Sequence, residues 1–320
     1  MVNVAFELGN QVQEELEFSE NIDSIQYDSL LIMGMGGSGV SGDVLSLLSN
    51  EVSSKKITVR KSYSIPKKIM EVNPFCLFIS YSGNTEETLS GLNDAIKNNL
   101  DWAVISSGGK LIDLAIEHNK EYIKIPDGLQ PRAAFGYLTQ AVCKIVDIVE
   151  GTNFLKELRD VGNYLNEILN EEEDSEIFIE AKKIAKQINK KTCIIYGGTD
   201  LTELVASRWK TQINENAKSK AFVGSMPEVH HNEILSWDAD VEGSKSNYVL
   251  ILLRDNSENS QIAKRFDLTQ KLLGEKVEIF NIEPKSQSTT LIKLMELVLL
   301  GDLFSISLAD ELNMIPEDIE

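Results

Sequence analysis

The sequence predicts an α/β protein in two halves, each a doubly wound parallel sheet with helices on its faces. Short apolar runs such as Leu30–Met33, Phe75–Ile79 and Trp102–Ile105 stop at glycine- or serine-rich turns, and segments with helical periodicity follow them. The same pattern begins again at Cys193–Tyr196. Strands that alternate with helices at this spacing form parallel sheets, so two such series predict two α/β halves.

Composition agrees with two globular domains and narrows the range of partners. The chain has 320 residues, of which 42% are hydrophobic, enough for two units that each bury a core. It has 31 Lys and Arg residues against 50 Asp and Glu residues, which gives a formal net charge of −19. This charge repels nucleic acid and anionic membranes, and we expect neither as a partner. A few aimed N–H groups can still bind a small anion in a cleft.

The individual elements follow from local signals. A helix is expected from Ser41, and Lys56–Val59 is expected to be the next strand. Thr85–Thr88 puts acidic residues where a helix begins, which the helix dipole favours. Residues 153–191 are highly charged and have helical periodicity, so they predict a helical connector. We therefore expect a first domain at 1–152, and a second domain at 153–320 that includes this connector.

The second half echoes the first. Cys193–Thr199, like Leu31–Ser38, is an apolar run that ends in two glycines and a hydroxyl residue. Tyr248–Leu253 is a further strand, but the turn after it has Asp255 and Glu258 nearby instead of a row of hydroxyls. Carboxylates repel phosphate, so only the first half is expected to bind an anion.

Two turns in the first half carry hydroxyl groups at strand ends. Gly36–Gly39 and Ser80–Thr85 each follow a strand and precede a helix, so their hydroxyls and unpaired N–H groups are expected to point to one place above the sheet. Two such turns suit one compact phosphate group. The predicted phosphate-binding residues are Gly37, Ser38, Ser80, Ser82 and Thr85.

The first of these turns also permits a different interpretation. Gly34–Gly39 satisfies the G-x-G-x-x-G pattern of dinucleotide-binding proteins. A NAD site has an acidic residue at the end of the next strand, where this chain has Arg60 and Lys61. Arg60 could instead hold the 2′-phosphate of NADP, so an NADP-dependent oxidoreductase remains an alternative.

The cysteines and the N-terminus bear on the compartment. The three cysteines, Cys76, Cys143 and Cys193, are widely spaced, and two of them lie in apolar strand-like runs. We interpret them as buried thiols of a reducing cytosol. The N-terminal residues lack a basic region followed by an apolar stretch, and no apolar run approaches the length of a membrane span. A soluble cytoplasmic protein is expected.

Three further segments accompany the two turns: Pro131–Tyr137, Asn214–Lys218, and His231–Ile234 before Trp237. With them, nearly the whole chain resembles the bifunctional phosphoglucose/phosphomannose isomerase family, whose members contain two sugar isomerase (SIS) domains of flavodoxin-like fold. The resemblance implies interconversion of glucose 6-phosphate, and of mannose 6-phosphate, with fructose 6-phosphate through a cis-enediol. It implies neither a metal nor another cofactor.

The resemblance also assigns roles to three side chains. Glu215 is the expected base that moves a proton between C1 and C2, and it lies where a helix from Thr202 should end, a place that the dipole makes unfavourable for an acid. Arg132 matches the residue that stabilises the enediolate. His231 matches the residue that assists ring opening, usually from the partner subunit, which implies a homodimer with a shared active site.

Two alternative interpretations and one departure from the family pattern remain. A non-catalytic phosphosugar-binding sensor would share these motifs. A metal site at His230, His231 and Glu233 is disfavoured because adjacent histidines seldom converge on one ion, and in an extended segment His230 would point away from His231. Family members carry a C-terminal lysine that reaches the active site, whereas Ile315–Glu320 contains no lysine.

Overall fold

A computed structural model describes residues 1–318, and these residues form two compact units. One unit comprises Glu7–Asn163, and the other comprises Met1–Phe6 together with the chain from Tyr164 onward. The last two residues, Ile319 and Glu320, at the chain end where no lysine was found, lie outside the described residues.

The units divide at Asn163, inside a helix, rather than at the predicted residue 152. The carboxylate of Asp147 accepts hydrogen bonds from the N–H groups of Phe154 and Leu155, at 2.7 and 2.9 Å, which ties the start of that helix to the first unit. Farther along the same helix, the Tyr164 hydroxyl donates to Glu296 Oε2 at 2.7 Å. The predicted helical connector therefore begins within the first unit and continues in the second.

Helix α1 (Val2–Phe6) precedes the first unit. The strands of this unit are β1 (Glu17–Phe18), β2 (Ser29–Met33), β3 (Lys56–Arg60), β4 (Phe75–Ile79), β5 (Trp102–Ser106) and β6 (Glu121–Lys124). Its helices are α2 (Leu8–Gln11), α3 (Gly36–Val52), α4 (Lys67–Met70), α5 (Glu86–Lys97), α6 (Gly109–Glu117), α7 (Phe135–Glu150) and the first part of α8 (Phe154–Ile168). Short 3-10 turns lie at Ile22–Ser24 and Pro131–Ala133.

The sheet of the first unit has the order β1-β6-β5-β4-β2-β3 within the described residues. All neighbours are parallel except β1, which pairs antiparallel with β6. Numbered along the chain, the parallel strands follow the order 2-1-3-4-5 of flavodoxin-like folds, which confirms the predicted fold class. The chain reverses its direction of winding between β2 and β4.

Both faces of this sheet are covered by helices. Phe78 of β4 faces a core cluster that includes Leu92 of α5 and Leu111 of α6. On the opposite face, helix α3 approaches so closely that a Cβ atom on Gly42 would lie 2.9 Å from the Ile32 side chain. Strands buried on both faces must be apolar throughout, and this is why β2 and β4 are continuous apolar runs.

Helix α3 begins at Gly36, so the predicted start at Ser41 was wrong. The first turn of this helix packs tightly against the backbone at the end of β2, and only glycine leaves room for that contact. A Cβ atom on Gly39 would lie 2.8 Å from the carbonyl oxygen of Gly34. Gly36 has φ of +52°, a conformation that side chains disfavour. The glycines thus allow the strand to enter the helix directly.

In the second unit, the strands are β7 (Thr192–Gly197), β8 (Ala221–Ser225), β9 (Tyr248–Leu253) and β10 (Glu278–Ile282). The remaining helices are α9 (Glu176–Ile188), α10 (Asp200–Asn216), α11 (Val229–Asn232), α12 (Val241–Asn247), α13 (Ser260–Leu273) and α14 (Thr290–Glu311), with 3-10 turns at Glu172–Asp174 and Ile234–Asp238. The described strands are parallel and have the order β10-β9-β7-β8. This is the same winding as in the first unit, as the internal echo predicted.

The predicted buried thiols are confirmed. Cys76, Cys143 and Cys193 are free and buried, and burial raises the pKa of the Cys76 and Cys193 thiols to about 12 in each case. The thiols are therefore protonated and unreactive at neutral pH. Between residues 1 and 318, no helix combines the length and the apolar character needed to span a membrane.

Candidate active site

The two predicted phosphate turns lie side by side at the reversal point of the first unit. Strands β2 and β4 are parallel neighbours, so the turns that follow them meet at the carboxyl edge of the sheet. The Ser38 hydroxyl accepts a hydrogen bond from the N–H of Tyr81 at 3.1 Å, which joins one turn to the other. Ligands of open α/β sheets bind in the crevice at such a reversal point.

Hydrogen bonds within the second turn hold its hydroxyl groups in place. The hydroxyl oxygens of Ser80 and Thr85 are 2.8 Å apart and hydrogen bonded, and the exposed Ser82 hydroxyl accepts from the N–H of Asn84 at 3.3 Å. Helices α3 and α5 begin at these turns. Met35 precedes α3 and Thr85 precedes α5, and neither side chain caps the helix that follows it. First-turn N–H groups without a side-chain cap are the groups that bind anions.

Arg132 lies against the first of these turns. It is only 4% exposed and belongs to the 3-10 turn Pro131–Ala133. A Cβ atom on Gly37 would lie 3.2 Å from the Pro131 carbonyl oxygen and 3.4 Å from Cα of Arg132, so a glycine at position 37 permits this close approach. The Arg132 Nη1 atom donates to Gln130 Oε1 at 3.2 Å. The backbone of Arg132, whose side chain carries a permanent positive charge, thus packs against the candidate anion site.

The corresponding turn of the second unit contains a fixed negative charge. Asp255 follows β9 and is buried, and Lys293 Nζ donates to its Oδ1 at 2.8 Å. Burial works to raise the pKa of Asp255, but hydrogen bonds from Lys293 and Ser257 lower it overall, so the carboxylate stays charged. Asp255 stands where the first unit has its hydroxyl turn, and it is engaged in an ion pair with Lys293. That only the first half binds an anion stays a prediction.

Glu215 lies in the last turn of α10, where the sequence indicated that the helix would end. Arg208 and Gln212 of the same helix face inward and donate to the buried Asp302 carboxylate of α14, at 2.7 and 2.6 Å. Asn216 continues this face and donates to Ser305 at 2.9 Å. Because successive helical residues are about 100° apart, Glu215 falls off this face and is exposed.

The two adjacent histidines have different environments. His231 is exposed on α11, whereas the His230 Nε2 atom lies 2.7 Å from the Thr269 hydroxyl. Burial, followed by the charges of Arg265 and His231, lowers the pKa of His230. The segment is helical, so the expectation of an extended chain with opposed side chains was wrong. His230 is a packing residue, and His231 is the histidine accessible to a ligand.

The structure therefore brings together a set of predicted residues in the first unit: Gly37, Ser38, Ser80, Thr85 and Arg132. Glu215 and His231 lie on separate elements of the second unit. Sequence reasoning missed the residues that hold the turns, namely Tyr81, Ser107 and Gln11. The side chain of Gln11 donates to the Ala133 carbonyl at 2.9 Å and accepts from the N–H of Gly136 at 3.1 Å. No local pattern in the sequence marks Gln11, because its burial and its partners become visible only in the structure.

Comparison with solved structures and family models defines the class of the protein. The C-terminal domain of glucosamine-fructose-6-phosphate aminotransferase from Francisella tularensis has a TM-score of 0.72 and 13% identity, over 98% of this chain and 96% of that chain. The family model described as the bacterial phospho-glucose isomerase C-terminal SIS domain matches residues 179–320. The chain is a two-domain α/β protein of the SIS class.

Curated relatives give the particular family. A bifunctional phosphoglucose/phosphomannose isomerase from Aquifex aeolicus is 34% identical over 294 residues, which cover 90% of this chain and 86% of the relative. The protein of that name from Caldicellulosiruptor bescii is 32% identical over 317 residues, which cover 97% and 93%. The chain belongs to the bifunctional phosphoglucose/phosphomannose isomerase family.

Proposed function

We propose that this protein interconverts glucose 6-phosphate and mannose 6-phosphate with fructose 6-phosphate through a cis-enediol. The observation that carries the proposal is the pair of hydrogen-bonded hydroxyl turns with buried Arg132 beside them, at the reversal point of the first sheet. Family membership supports the same reaction. We further propose a cytoplasmic location, in which the buried thiols remain reduced.

In the proposed mechanism, the amides and hydroxyls of Gly37, Ser38, Ser80, Ser82 and Thr85 bind the phosphate group. Glu215 removes a proton from C2 of the open-chain aldose and delivers a proton to C1, while a second proton moves from O2 to O1. Conversion of the ketose to the aldose reverses each of these transfers. The negative charge that develops on the enediolate oxygen is stabilised by Arg132, whose low exposure limits screening by water. His231 transfers the proton needed to open the sugar ring.

A direct assay tests the proposal. We expect the purified protein to form fructose 6-phosphate from glucose 6-phosphate and from mannose 6-phosphate without added metal or nucleotide. If sugar phosphate binds in calorimetry but neither aldose phosphate is converted, the protein is a sensor and the isomerase proposal is wrong. Binding of NADP in the same calorimeter, with a nicotinamide-dependent reaction, would support the oxidoreductase alternative instead.

We also propose a homodimer in which His231 serves the active site of the partner subunit. The exposed position of His231 is compatible with that role. Two inactive variants, Glu215→Gln and His231→Gln, test the arrangement when they are unfolded and refolded together. Random pairing gives hybrids in half of the dimers, and one site in each hybrid keeps both side chains, so about a quarter of the wild-type activity should return.

Refolding each variant alone is the control for this mixture and should give no recovery. If the mixture stays inactive while sequential affinity purification of differently tagged variants recovers hybrid dimers, then His231 acts in its own subunit. A monomeric mass for the active wild-type protein would reject the shared site altogether.

A further inference from the structure

Tyr81 lies in the middle of the second phosphate turn, is only 6% exposed, and has a hydrogen-bond partner at every polar group. Its N–H donates to the Ser38 hydroxyl at 3.1 Å. Its carbonyl accepts from the N–H and the hydroxyl of Ser107, at 2.9 and 2.7 Å, and from the Ser106 hydroxyl at 3.3 Å. Its phenol oxygen accepts from the N–H of Leu129 at 2.9 Å. One residue thus contacts several segments that surround the anion site.

The backbone contacts of Tyr81 fix the phosphate turn itself. A peptide unit is planar, so the serines that hold the Tyr81 carbonyl also set the direction of the N–H of Ser82 in the same unit. The bond from the Tyr81 N–H to Ser38 fixes the start of α3 relative to that peptide. The orientation of amides in both phosphate turns therefore depends on the position of Tyr81.

The phenol hydroxyl extends this arrangement to Arg132. Leu129, its partner, lies just before the 3-10 turn Pro131–Ala133, in a segment where Gly128 has φ of +84°. On the far side of Arg132, Gln11 binds the Ala133 carbonyl. The turn that carries the guanidinium is thus anchored at both ends, and one of the anchors is the side chain of a phosphate-turn residue.

We propose that Tyr81 is a positioning residue whose hydroxyl holds the Arg132 turn in a fixed place relative to the bound phosphate. The inference rests on the proposed isomerase function, because it is Arg132 that stabilises the enediolate there. Burial raises the pKa of the Tyr81 hydroxyl, so the group stays neutral across the working pH range of such an enzyme. The link is therefore constant and does not act as a pH switch.

The test is Tyr81→Phe, which removes the hydroxyl and keeps the ring. We expect kcat to fall about tenfold, the factor that the loss of one ordinary hydrogen bond gives. Because the backbone contacts of residue 81 persist, KM and the Kd of inorganic phosphate should change by less than about twofold. On an Arg132→Ala background, Tyr81→Phe should cause no further loss, since the hydroxyl acts through that arginine.

A matched control is Tyr27→Phe. Tyr27 is a buried tyrosine of the same unit and lies just before β2, at the amino end of the parallel strands, whereas the phosphate turns lie at their carboxyl end. It should leave kcat unchanged. Equal losses from Tyr81→Phe with and without Arg132 would overturn the proposal, as would tenfold weaker phosphate binding with an unchanged kcat.

Hydrogen exchange gives a readout that does not depend on activity. The Leu129 amide loses its acceptor in Tyr81→Phe, and we expect amides of residues 127–132 to exchange about tenfold faster, with global protection unchanged. If the wild-type protein proves to have no isomerase activity, the proposed function fails, while the exchange data still report the anchor. Unchanged exchange at Leu129 would reject the anchor itself.

Discussion

Replacing Glu215 with glutamine is expected to lower kcat for fructose 6-phosphate isomerisation by a factor of about 1,000, within the range that general acid–base catalysis supplies. The amide has nearly the same shape but cannot accept the proton. The Kd of inorganic phosphate should stay within about twofold of the wild-type value, because the proposed phosphate-binding residues are unchanged. Thermal stability should also be preserved, since Glu215 is exposed.

The matched control is Glu275→Gln, another exposed glutamate of the second unit, just beyond the end of α13. It makes the same change of charge and should leave kcat unchanged. If the two substitutions lowered kcat equally, the loss would come from the change in net charge and not from the removal of a base. Full activity of Glu215→Gln would remove Glu215 from the mechanism.

Removing the guanidinium with Arg132→Ala is expected to lower kcat by a factor of about 100 to 1,000, which is the effect of losing one electrostatic donor at a developing oxyanion. Arg132→Lys should recover only part of this activity, because an ammonium group is a point charge and cannot reproduce the planar donors of Arg132. Steady-state kinetics with fructose 6-phosphate measure both effects.

Arg159→Ala serves as the control, since Arg159 is an exposed arginine of the same unit. The melting temperature must be measured in parallel because Arg132 is buried, and truncation leaves space in a packed region. Loss of activity that follows only loss of folded protein would contradict the catalytic role. A kcat for Arg132→Ala within twofold of the wild-type value would contradict it as well.

Much of the fold follows from the sequence because its strands are buried on both faces. Such strands are short apolar runs with little alternation, and the runs at Phe75–Ile79 and Tyr248–Leu253 are both strands in the structure. The helix start at Gly36 was missed because glycines usually mark a loop, whereas here they permit a tight approach between the helix and its own strand.

The candidate site was only partly visible in the sequence. Ser38 and Ser80 stand out because hydroxyls at strand ends have a local signature. The hydrogen bond between Tyr81 and Leu129 joins residues far apart in the chain, and no spacing rule predicts it. The helical conformation at His230 was missed for a related reason, since α11 is one short turn held by packing and its periodicity cannot be detected.

Conversion of fructose 6-phosphate in D2O, with NMR spectroscopy to locate deuterium in the products, tests the central claim most directly. The account predicts that the wild-type protein converts fructose 6-phosphate to both glucose 6-phosphate and mannose 6-phosphate, each carrying deuterium at C2, because the base exchanges its proton with solvent while the enediol is bound. Recovery of unchanged fructose 6-phosphate would contradict the assigned reaction. Aldose products carrying only protium at C2 would show that the proton taken from C1 reaches C2 without exchanging with solvent, and would contradict the predicted exchange.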